Sequence, residues 1–276
     1  MKAAVVQLTA SDDPAANLPV TVDLIAQAAA QGAGFVLTPE VTNCISQDRA
    51  HQQIVLQHET DDLTLAGLRA AAQQHGVWLS IGSLALKTND ADGRFANRSF
   101  LIDPNGQIVA RYDKIHMFDV AVSDTETYRE SAGYRPGDRA VIADTPFGKI
   151  GLSICYDVRF AYLYRALAQA GAQILLVPAA FSPVTGAAHW TTLLRARAIE
   201  TGSYVLAAAQ TGTHRSGSGK GRQTYGHTMA ISPWGEVLVD LGTTPGLALV
   251  DLDLNEVAES RRKIGALTHD RVFEGP

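Results

Sequence analysis

Two segments of the chain repeat one pattern, in which a glycine that can end a helix is followed by a short apolar run and a proline. They are Gln31–Glu40 and Ala170–Ala179. Helical and extended patterns alternate around both segments, which is typical of α/β folds with parallel strands. The repeat therefore predicts two similar halves, each with a sheet that carries helices on one face and packs against the other sheet. The expected fold class is α/β, a four-layer α-β-β-α sandwich of two mixed sheets with pseudo-two-fold halves.

The spacing of apolar residues predicts the individual elements. Four segments with helical spacing are expected to be helices, at 17–31, 63–75, 160–170 and 189–201. Short apolar segments between them are expected to be strands, at 3–8, 35–38, 77–82, a strand that ends at Cys155, 174–177 and 204–209. Turn signals at 89–93 and 104–106 predict a hairpin-like region. No linker composition separates the halves, so we expect them to form one domain.

The composition argues against several classes of partner. The 276 residues carry a net charge of −5 and no basic cluster, so neither nucleic acid nor an anionic membrane is an expected partner. No apolar run reaches the roughly 20 residues of a membrane span, and Met1–Leu8 is too short for a signal peptide. Two cysteines, Cys44 and Cys155, are too few for a disulfide framework and lack zinc-ligand spacing. A cytoplasmic protein is expected.

Cys155 lies where a predicted strand meets a predicted helix. Backbone N–H groups and the positive end of a helix lower the pKa of a thiol there, which favours a nucleophilic thiolate. A buried packing role is the alternative for the same residue. A thiol nucleophile also needs a base. Both histidines and carboxylates are available, and the histidine candidates are His116, His189 and His227.

Two further residues are candidates for this chemistry. Glu40 follows Pro39 at the carboxyl end of a predicted buried strand, where functional groups of α/β sheets commonly lie. Desolvation there is expected to raise the pKa of the carboxyl group and suit it to proton transfer. Lys114 follows Asp113 and precedes a mostly apolar stretch, which suggests a strand end at a pocket. Taken singly, a solvated turn glutamate and a surface lysine are the alternatives.

Taken together, three segments resemble the Glu–Lys–Cys signature of the nitrilase, or carbon–nitrogen hydrolase, superfamily. In chain order they are Pro39–Glu40, Tyr112–His116 and Ile154–Phe160. Other segments are also similar to the family, and they extend the resemblance over essentially the whole chain: Glu130–Ser131 with Pro136–Gly137, Pro178–Phe181, Thr185–Gly186, His189–Trp190, Arg195–Glu200, Tyr225–His227 and Pro233–Gly235. The family commonly has glycine at Ala179 and proline at Ala188, and the residues from Ile264 onward resemble it only loosely.

The resemblance implies a mechanism and a single carbon–nitrogen hydrolase domain over residues 1–276. Glu40 would act as the general base for Cys155, whose sulfur would attack an amide carbon and form a thioester. Lys114 and the N–H of Tyr156 would stabilise the oxyanion, and Glu130 would position the substrate or Lys114. The resemblance implies no metal or organic cofactor. It also implies a homodimer or a higher homo-oligomer.

Within the superfamily, the chain looks most like the branch of deaminated glutathione amidases and ω-amidases. The implied substrate is a small carboxylate-bearing amide, and an arginine is the natural partner of its carboxylate. The candidate residues for substrate binding are Tyr156, Arg159, Phe181, Thr185 and His189, with Arg195 and Arg197 as further carboxylate ligands. The Gly- and Ser-rich segment 211–224 could form a lid over the site or a plain solvated loop.

Several alternatives stay open at this level. Within the family, deaminated glutathione amidase is preferred over an ω-amidase for α-ketoglutaramate or α-ketosuccinamate and over a hydrolase of N-carbamoyl compounds or nitriles. Outside the family, the chain could be a thiol hydrolase that uses His116 or His189 as its base, or a non-catalytic binding protein.

Overall fold

Two six-stranded mixed sheets form the framework of the computed structural model, which describes residues 1–123, 126–217 and 221–275. The strands, in chain order, are β1 (Lys2–Gln7), β2 (Phe35–Leu37), β3 (Trp78–Leu86), β4 (Ala96–Ile102), β5 (Ile108–Asp113), β6 (Asp119–Ser123), β7 (Glu126–Arg129), β8 (Val141–Thr145), β9 (Gly148–Leu152), β10 (Ile174–Leu176), β11 (Tyr204–Ala207), β12 (Thr211–Thr213), β13 (Gln223–Tyr225), β14 (Met229–Ile231), β15 (Val237–Asp240) and β16 (Gly246–Asp251).

The two sheets have the same pairing pattern. The first has the order β16-β1-β2-β3-β4-β5, and the second, written from its other edge, has the order β8-β9-β10-β11-β14-β15. Read in these directions, each sheet has one antiparallel pair, two parallel pairs and two antiparallel pairs. The predicted pseudo-two-fold relation between the halves is therefore confirmed. The pairs β6–β7 and β12–β13 form separate two-stranded sheets.

The described residues also form six α-helices. They are α1 (Pro14–Ala30), α2 (Arg49–Val55), α3 (Leu63–His75), α4 (Ala161–Gln169), α5 (Pro183–Thr201) and α6 (Leu254–Lys263). None of them is both long enough and apolar enough to cross a membrane. The 3₁₀ turns Glu130–Ala132, Cys155–Arg159 and Ala266–Thr268 complete the set of helical elements.

Alternate residues of β1 show how the layers are built. Ala3 and Val5 belong to the apolar cluster that includes Leu176 and Leu206 of the second sheet, whereas Ala4 and Val6 pack with residues of α1 and α3. This division follows from the two-residue period of a strand. On the opposite side of the molecule, α4 and α5 pack on the second sheet. The predicted four-layer α-β-β-α sandwich is confirmed.

Several elements differ from the sequence prediction. The helix expected at 189–201 begins at Pro183, because proline is well accommodated in a first helical turn. The strand expected at 77–82 continues to Leu86. Two helices were not predicted: α2 has only seven residues, and α6 is mostly polar and buries only Val257 and Ser260. Neither has an apolar stripe that reveals a helix.

The two sheets approach closely at the carboxyl ends of their parallel strands. Leu8 of the first half exchanges backbone hydrogen bonds with Ala209 and Thr211 of the second half, at 3.3 and 2.8 Å. Gly82 lies at the same end. A Cβ atom on Gly82 would overlap the carbonyl oxygen of Thr38 and would lie 2.5 Å from Pro178 Cβ. The absence of a side chain at Gly82 thus permits this contact between the halves.

We expect Gly82→Ala to lower the free energy of unfolding by at least about 2 kcal/mol, since the added methyl group meets backbone that cannot move aside. Urea denaturation followed by circular dichroism measures the change. Gly34→Ala is the matched control, because a Cβ there meets only Lys2 O, at 4.0 Å. Equal stability of the two variants would contradict the proposed close contact.

Candidate active site

Glu40 lies just beyond the carboxyl end of β2 and is only 4% exposed. Its Oε1 accepts hydrogen bonds from Lys114 Nζ and Asn97 Nδ2, both at 2.9 Å. Its Oε2 accepts the backbone N–H of Ala180, at 2.8 Å. The carboxylate is thus held by donors from both halves of the molecule, and both of its oxygens are occupied.

Lys114 follows β5 and lies between two carboxylates. Its Nζ is 2.9 Å from Glu40 Oε1 and 2.9 Å from each carboxylate oxygen of Glu130. Glu130 belongs to the 3₁₀ turn after β7, and its Oε2 also accepts the backbone N–H of Phe118, at 2.7 Å. The ammonium group is 2% exposed, so a buried cation joins the two glutamates.

Cys155 opens the 3₁₀ turn that follows β9. Its backbone has a φ of 49°, in the left-handed region, and its N–H donates to Pro178 O at 2.8 Å. The thiol lies near the Glu40 carboxylate, and both groups line the same cavity. Val41, directly after Glu40, also has a positive φ, of 45°. A left-handed non-glycine residue costs about 1–3 kcal/mol, and such residues cluster at functional sites.

The pKa of the Cys155 thiol is raised well above its ordinary value. Burial is the main cause, and the neighbouring Glu40 carboxylate raises the pKa further, whereas Lys114 lowers it. The prediction that this position lowers the thiol pKa is therefore wrong. The reason is that α4 begins only at Ala161, so the sulfur lies in a buried 3₁₀ turn and not at the end of an α-helix.

The charge states of Glu40 and Lys114 are set by their contact. Burial raises the pKa of Glu40, but the charge of Lys114 and its hydrogen bond outweigh burial and hold this pKa below its ordinary value. The expected raised pKa of Glu40 is therefore wrong. Burial lowers the pKa of Lys114, but Glu130 and Glu40 together raise it well above its ordinary value. The resting site thus holds an ionised Glu40, a charged Lys114 and a neutral Cys155 thiol.

Asn97 is a site residue that the sequence analysis missed. It lies on β4, and its Nδ2 is 2.9 Å from Glu40 Oε1 and 3.4 Å from Glu130 Oε1. Its Oδ1 is buried and has no hydrogen-bond partner among the described residues. Because β4 pairs with β5, the same register that places Lys114 also places this amide. No motif around Asn97 reveals that role.

Asp157 links the segment around Lys114 to the 3₁₀ turn that begins at Cys155. Its Oδ2 accepts the Tyr112 hydroxyl at 2.6 Å and the Ile154 N–H at 2.8 Å. Its Oδ1 lies 3.0 Å from the His116 backbone nitrogen and 2.6 Å from His116 Nδ1. This fully buried carboxylate therefore fixes residues on either side of Lys114 to the turn that begins at Cys155. Its position inside the Cys-Tyr-Asp motif was a signal for such a role.

A cavity of about 500 Å³ opens onto these groups. Of the residues predicted from the sequence, seven line it: Glu40, Lys114, Glu130, Cys155, Tyr156, Phe181 and Thr185. Arg159 and His189 are not among the described lining residues. The guanidinium of Arg159 lies 3.3 Å from His189 Nδ1 and 5.4 Å from the centre of the Phe181 ring. Substrate contact by these two residues stays a prediction.

Other candidates have structural contacts. Arg195 and Arg197 donate to the carbonyl oxygens of Gly235 and Val158, both at 2.8 Å. Of the histidines considered as a base, His116 is bound to Asp157, His227 to Asp240 at 3.0 Å, and His189 to Arg159. None of the three histidines is among the described residues that line the cavity. Ala179 and Ala188, which depart from the family pattern, are also absent from that described lining.

The segment 211–224, considered as a lid, is described except for residues 218–220, which lie outside the described residues. β12 and β13 form its base. His214 is buried there, with Nδ1 2.7 Å from Ala10 O and Nε2 2.7 Å from Thr224 Oγ1. Arg222 from the same segment lines the cavity. The described part of the segment is therefore attached to the body of the protein.

Comparisons with known proteins agree with this geometry. The profile of the carbon-nitrogen hydrolase family matches residues 2–262. A deaminated glutathione amidase of Synechocystis is 41% identical over 98% of this chain and 98% of its own length. Its human counterpart is 39% identical over 97% of this chain and 81% of its own length. The crystal structure of the C. elegans NitFhit protein superposes with a TM-score of 0.89 and 36% identity. This match covers 98% of this chain and 65% of that one.

We expect Asn97→Ala to lower kcat for amide hydrolysis about 10–100-fold, because Glu40 loses a donor to its charged form. Loss of that donor raises the pKa of Glu40, so the acid limb of the pH–rate profile should move to higher pH. Ser99→Ala is the matched control, two residues along the same strand, where the hydroxyl donates to Ile81 O at 3.0 Å. An unmoved acid limb would show that Asn97 is only a packing residue.

A second prediction concerns the base of segment 211–224. Burial lowers the pKa of His214 from 6.5 to about 4, so below pH 6.5 the unfolded chain binds a proton that the folded chain does not. Stability should therefore fall by up to about 3 kcal/mol as the pH drops toward 4. His214→Gln should remove this part of the pH dependence in denaturant titrations, whereas His189→Gln, at an exposed position, should leave it intact. An unchanged slope in His214→Gln would refute the assignment.

Proposed function

Because this chain belongs to the carbon–nitrogen hydrolase family, we propose that it cleaves the amide bond of deaminated glutathione through a Cys155 thioester. The family was predicted from the motifs around Glu40, Lys114 and Cys155, and the family match over residues 2–262 confirms it. The protein is accordingly an enzyme that hydrolyses carbon–nitrogen bonds. The observation that carries the proposed mechanism is the convergence of a carboxylate, an ammonium group and a thiol at one cavity.

In the first half-reaction, Glu40 takes the proton of the Cys155 thiol as the sulfur attacks the amide carbonyl carbon. The carboxylate neighbours the thiol at the same cavity and is ionised, so it is placed to accept the proton. Because the pKa of the buried thiol is high, we expect the proton to leave in the same step in which the sulfur attacks. The tetrahedral intermediate carries its negative charge on the former carbonyl oxygen.

Two donors are available to that oxygen. Lys114 is held charged by its carboxylate neighbours, and its ammonium group lies at the cavity wall beside Cys155. The N–H of Tyr156 belongs to the first residues of a 3₁₀ turn, which have no acceptor within the turn. Preorganised donors of this kind stabilise an oxyanion without reorganisation during the reaction.

To complete the first half-reaction, the carbon–nitrogen bond breaks, Glu40 gives its proton to the departing nitrogen, and the thioester remains. In the second half-reaction, a water molecule attacks the thioester carbon while Glu40 accepts one of its protons. When the carbon–sulfur bond breaks, Glu40 returns that proton to the sulfur and the starting state is restored. Glu130 contacts Lys114 Nζ through both carboxylate oxygens and keeps the ammonium group charged and positioned at the cavity wall.

Deaminated glutathione is the preferred substrate because two relatives with about 40% identity over most of the chain bear that activity in their names. The compound is the keto analogue of glutathione, and cleavage of its γ-amide releases a keto dicarboxylate and a dipeptide amine. The leaving group is therefore an amine, not ammonia. The related ω-amidase reaction on α-ketoglutaramate uses the same groups and is the alternative within the family.

We also propose that the protein is a cytoplasmic homo-oligomer. The unpaired thiols of Cys44 and Cys155 suit a reducing compartment. Ile199 and Trp234 are each more than half exposed, and the Ile199 side chain lies beside Gly235. An apolar surface of this kind is suited to contact with a second copy.

The decisive experiment measures the hydrolysis of deaminated glutathione, α-ketoglutaramate and a simple nitrile by wild type and by two variants. We expect the largest kcat/KM for deaminated glutathione. Cys155→Ala and Glu40→Gln should each lower kcat at least about a thousandfold, since they remove the nucleophile and its base.

Cys44→Ala is the matched control, because Cys44 lines the same cavity while burial raises the pKa of its thiol to about 12. This variant should keep nearly full activity. Turnover that survives in Cys155→Ala would disprove the thioester mechanism. Activity retained by Glu40→Gln alone would favour a histidine base, and equal rates on all three substrates would refute the substrate assignment.

A further inference from the structure

Arg222 brings a positive charge to the cavity, and the mechanism above assigns it no role. It lies in segment 211–224, directly before β13, and lines the cavity together with Glu40. Its Nη2 donates to Ala180 O at 2.6 Å, and its guanidinium lies 5.9 Å from the centre of the Tyr128 ring. Its charge helps to lower the pKa of Glu40. This effect on Glu40 is smaller than that of Lys114, so the charge of Arg222 is not what keeps Glu40 ionised.

One donor of this guanidinium is unused. Nε of Arg222 is buried and has no hydrogen-bond partner among the described residues. The ion pairs of the described residues leave its charge without a carboxylate partner. A buried donor without an acceptor is destabilising because its desolvation is not compensated, and such groups are rare in native structures. An anionic ligand that supplies the acceptor would recover this free energy.

The other cations at the cavity are differently placed. Lys114 already donates to Glu40 and Glu130. Arg49 donates from its two terminal nitrogens to the carbonyl oxygens of Gly133 and Gly93, both at 2.6 Å. It also lies 3.9 Å from the centre of the Phe95 ring. Arg129 is exposed at the rim, where water solvates it. Among the described lining residues, Arg222 thus combines a cation with a buried, unused donor.

The position of Arg222 relative to Glu40 is fixed by Ala180. The carbonyl oxygen of Ala180 binds Arg222, and its N–H binds Glu40. An anion on Arg222 Nε therefore lies at a set distance from the carboxylate that activates Cys155. Such an arrangement selects molecules in which an anionic group and the scissile amide are separated by a defined length.

We propose that Arg222 binds a carboxylate of the substrate and thereby selects acyl groups that carry an acid at their far end. This inference rests on the proposed amidase function and adds a residue that determines its substrate class. A carboxylate oxygen accepts Nε–H while Ala180 retains Nη2, and such charge-assisted hydrogen bonds are the strong ones. Arg222 contacts the substrate far from the reacting carbon, so it governs KM more than kcat.

The test compares succinamate with butyramide, an amide of similar length that lacks the carboxylate. We expect Arg222→Gln to lower kcat/KM for succinamate about 10–100-fold, mainly through KM, and to change that for butyramide less than about threefold. Deaminated glutathione should follow succinamate. Arg222→Lys should recover part of the loss, because it keeps the charge but not the fork of donors.

Arg129→Gln is the matched control, since it removes an exposed arginine from the rim of the same cavity. It should alter the ratio of the two kcat/KM values less than about threefold. An equal loss on succinamate and butyramide in Arg222→Gln would overturn the proposal, because it would mean that Arg222 only supports Ala180 and Glu40. Unchanged kcat/KM values on both substrates in Arg222→Gln would overturn it as well.

Binding of glutarate separates this inference from the proposed function. Calorimetric titration of Cys155→Ala, and of the same variant with Arg222→Gln, needs no turnover. We expect the dissociation constant of glutarate to rise about 10–100-fold with the second change. If wild type fails to hydrolyse deaminated glutathione but the two variants show this rise, the substrate assignment is wrong and the carboxylate site is supported. If wild type is active and glutarate binds both variants equally, only the proposed role of Arg222 is refuted.

Discussion

The buried ammonium group of Lys114 is the interaction on which the site depends. Removing it and two carboxylates from water carries a desolvation penalty of several kcal/mol per ion, which close geometry and additional donors must offset. The structure supplies both: three contacts at 2.9 Å around Nζ and further donors from Asn97, Phe118 and Ala180. These groups come from both sheets and from a 3₁₀ turn. The ion cluster is therefore satisfied only when the two halves are correctly packed.

The same cluster determines how a cysteine without a histidine neighbour can react. Lys114 holds Glu40 ionised, while burial and that carboxylate keep the Cys155 thiol protonated. In the proposed mechanism, the enzyme thus stores its base as a carboxylate and its nucleophile as a neighbouring thiol. In this mechanism, a thiolate forms only when the carbonyl carbon of an amide is in place for the sulfur to attack. A buried thiol of this kind is also less open to oxidation than a preformed thiolate.

Sequence patterns were sufficient for features that depend on neighbours along the chain. The helix 63–75 was predicted with the bounds of α3, because Asp62 caps its start and Gly76 ends it. The residues that were missed depend on contacts between distant positions. Asn97 meets Glu40 across 57 positions and Ala180 meets it across 140. The predicted directions of the pKa shifts of the Cys155 thiol and of Glu40 were wrong for the same reason, since burial and the neighbouring charge of Lys114 are properties of the assembled fold.

The two halves share a framework but use equivalent positions differently. Glu40 follows Pro39 at the end of β2, and in the second half Ala179 follows Pro178 at the end of β10. Ala179 is fully buried and packs in the core between the sheets, so its departure from the family's glycine affects packing before it affects the cavity. The second half contributes the N–H of Ala180, which binds Glu40, and the carbonyl oxygen of Ala180, which binds Arg222. The equivalent strand end of the second half thus forms a backbone link between the proposed general base and the arginine proposed to bind a carboxylate, and through this link one short segment can couple catalysis to substrate choice.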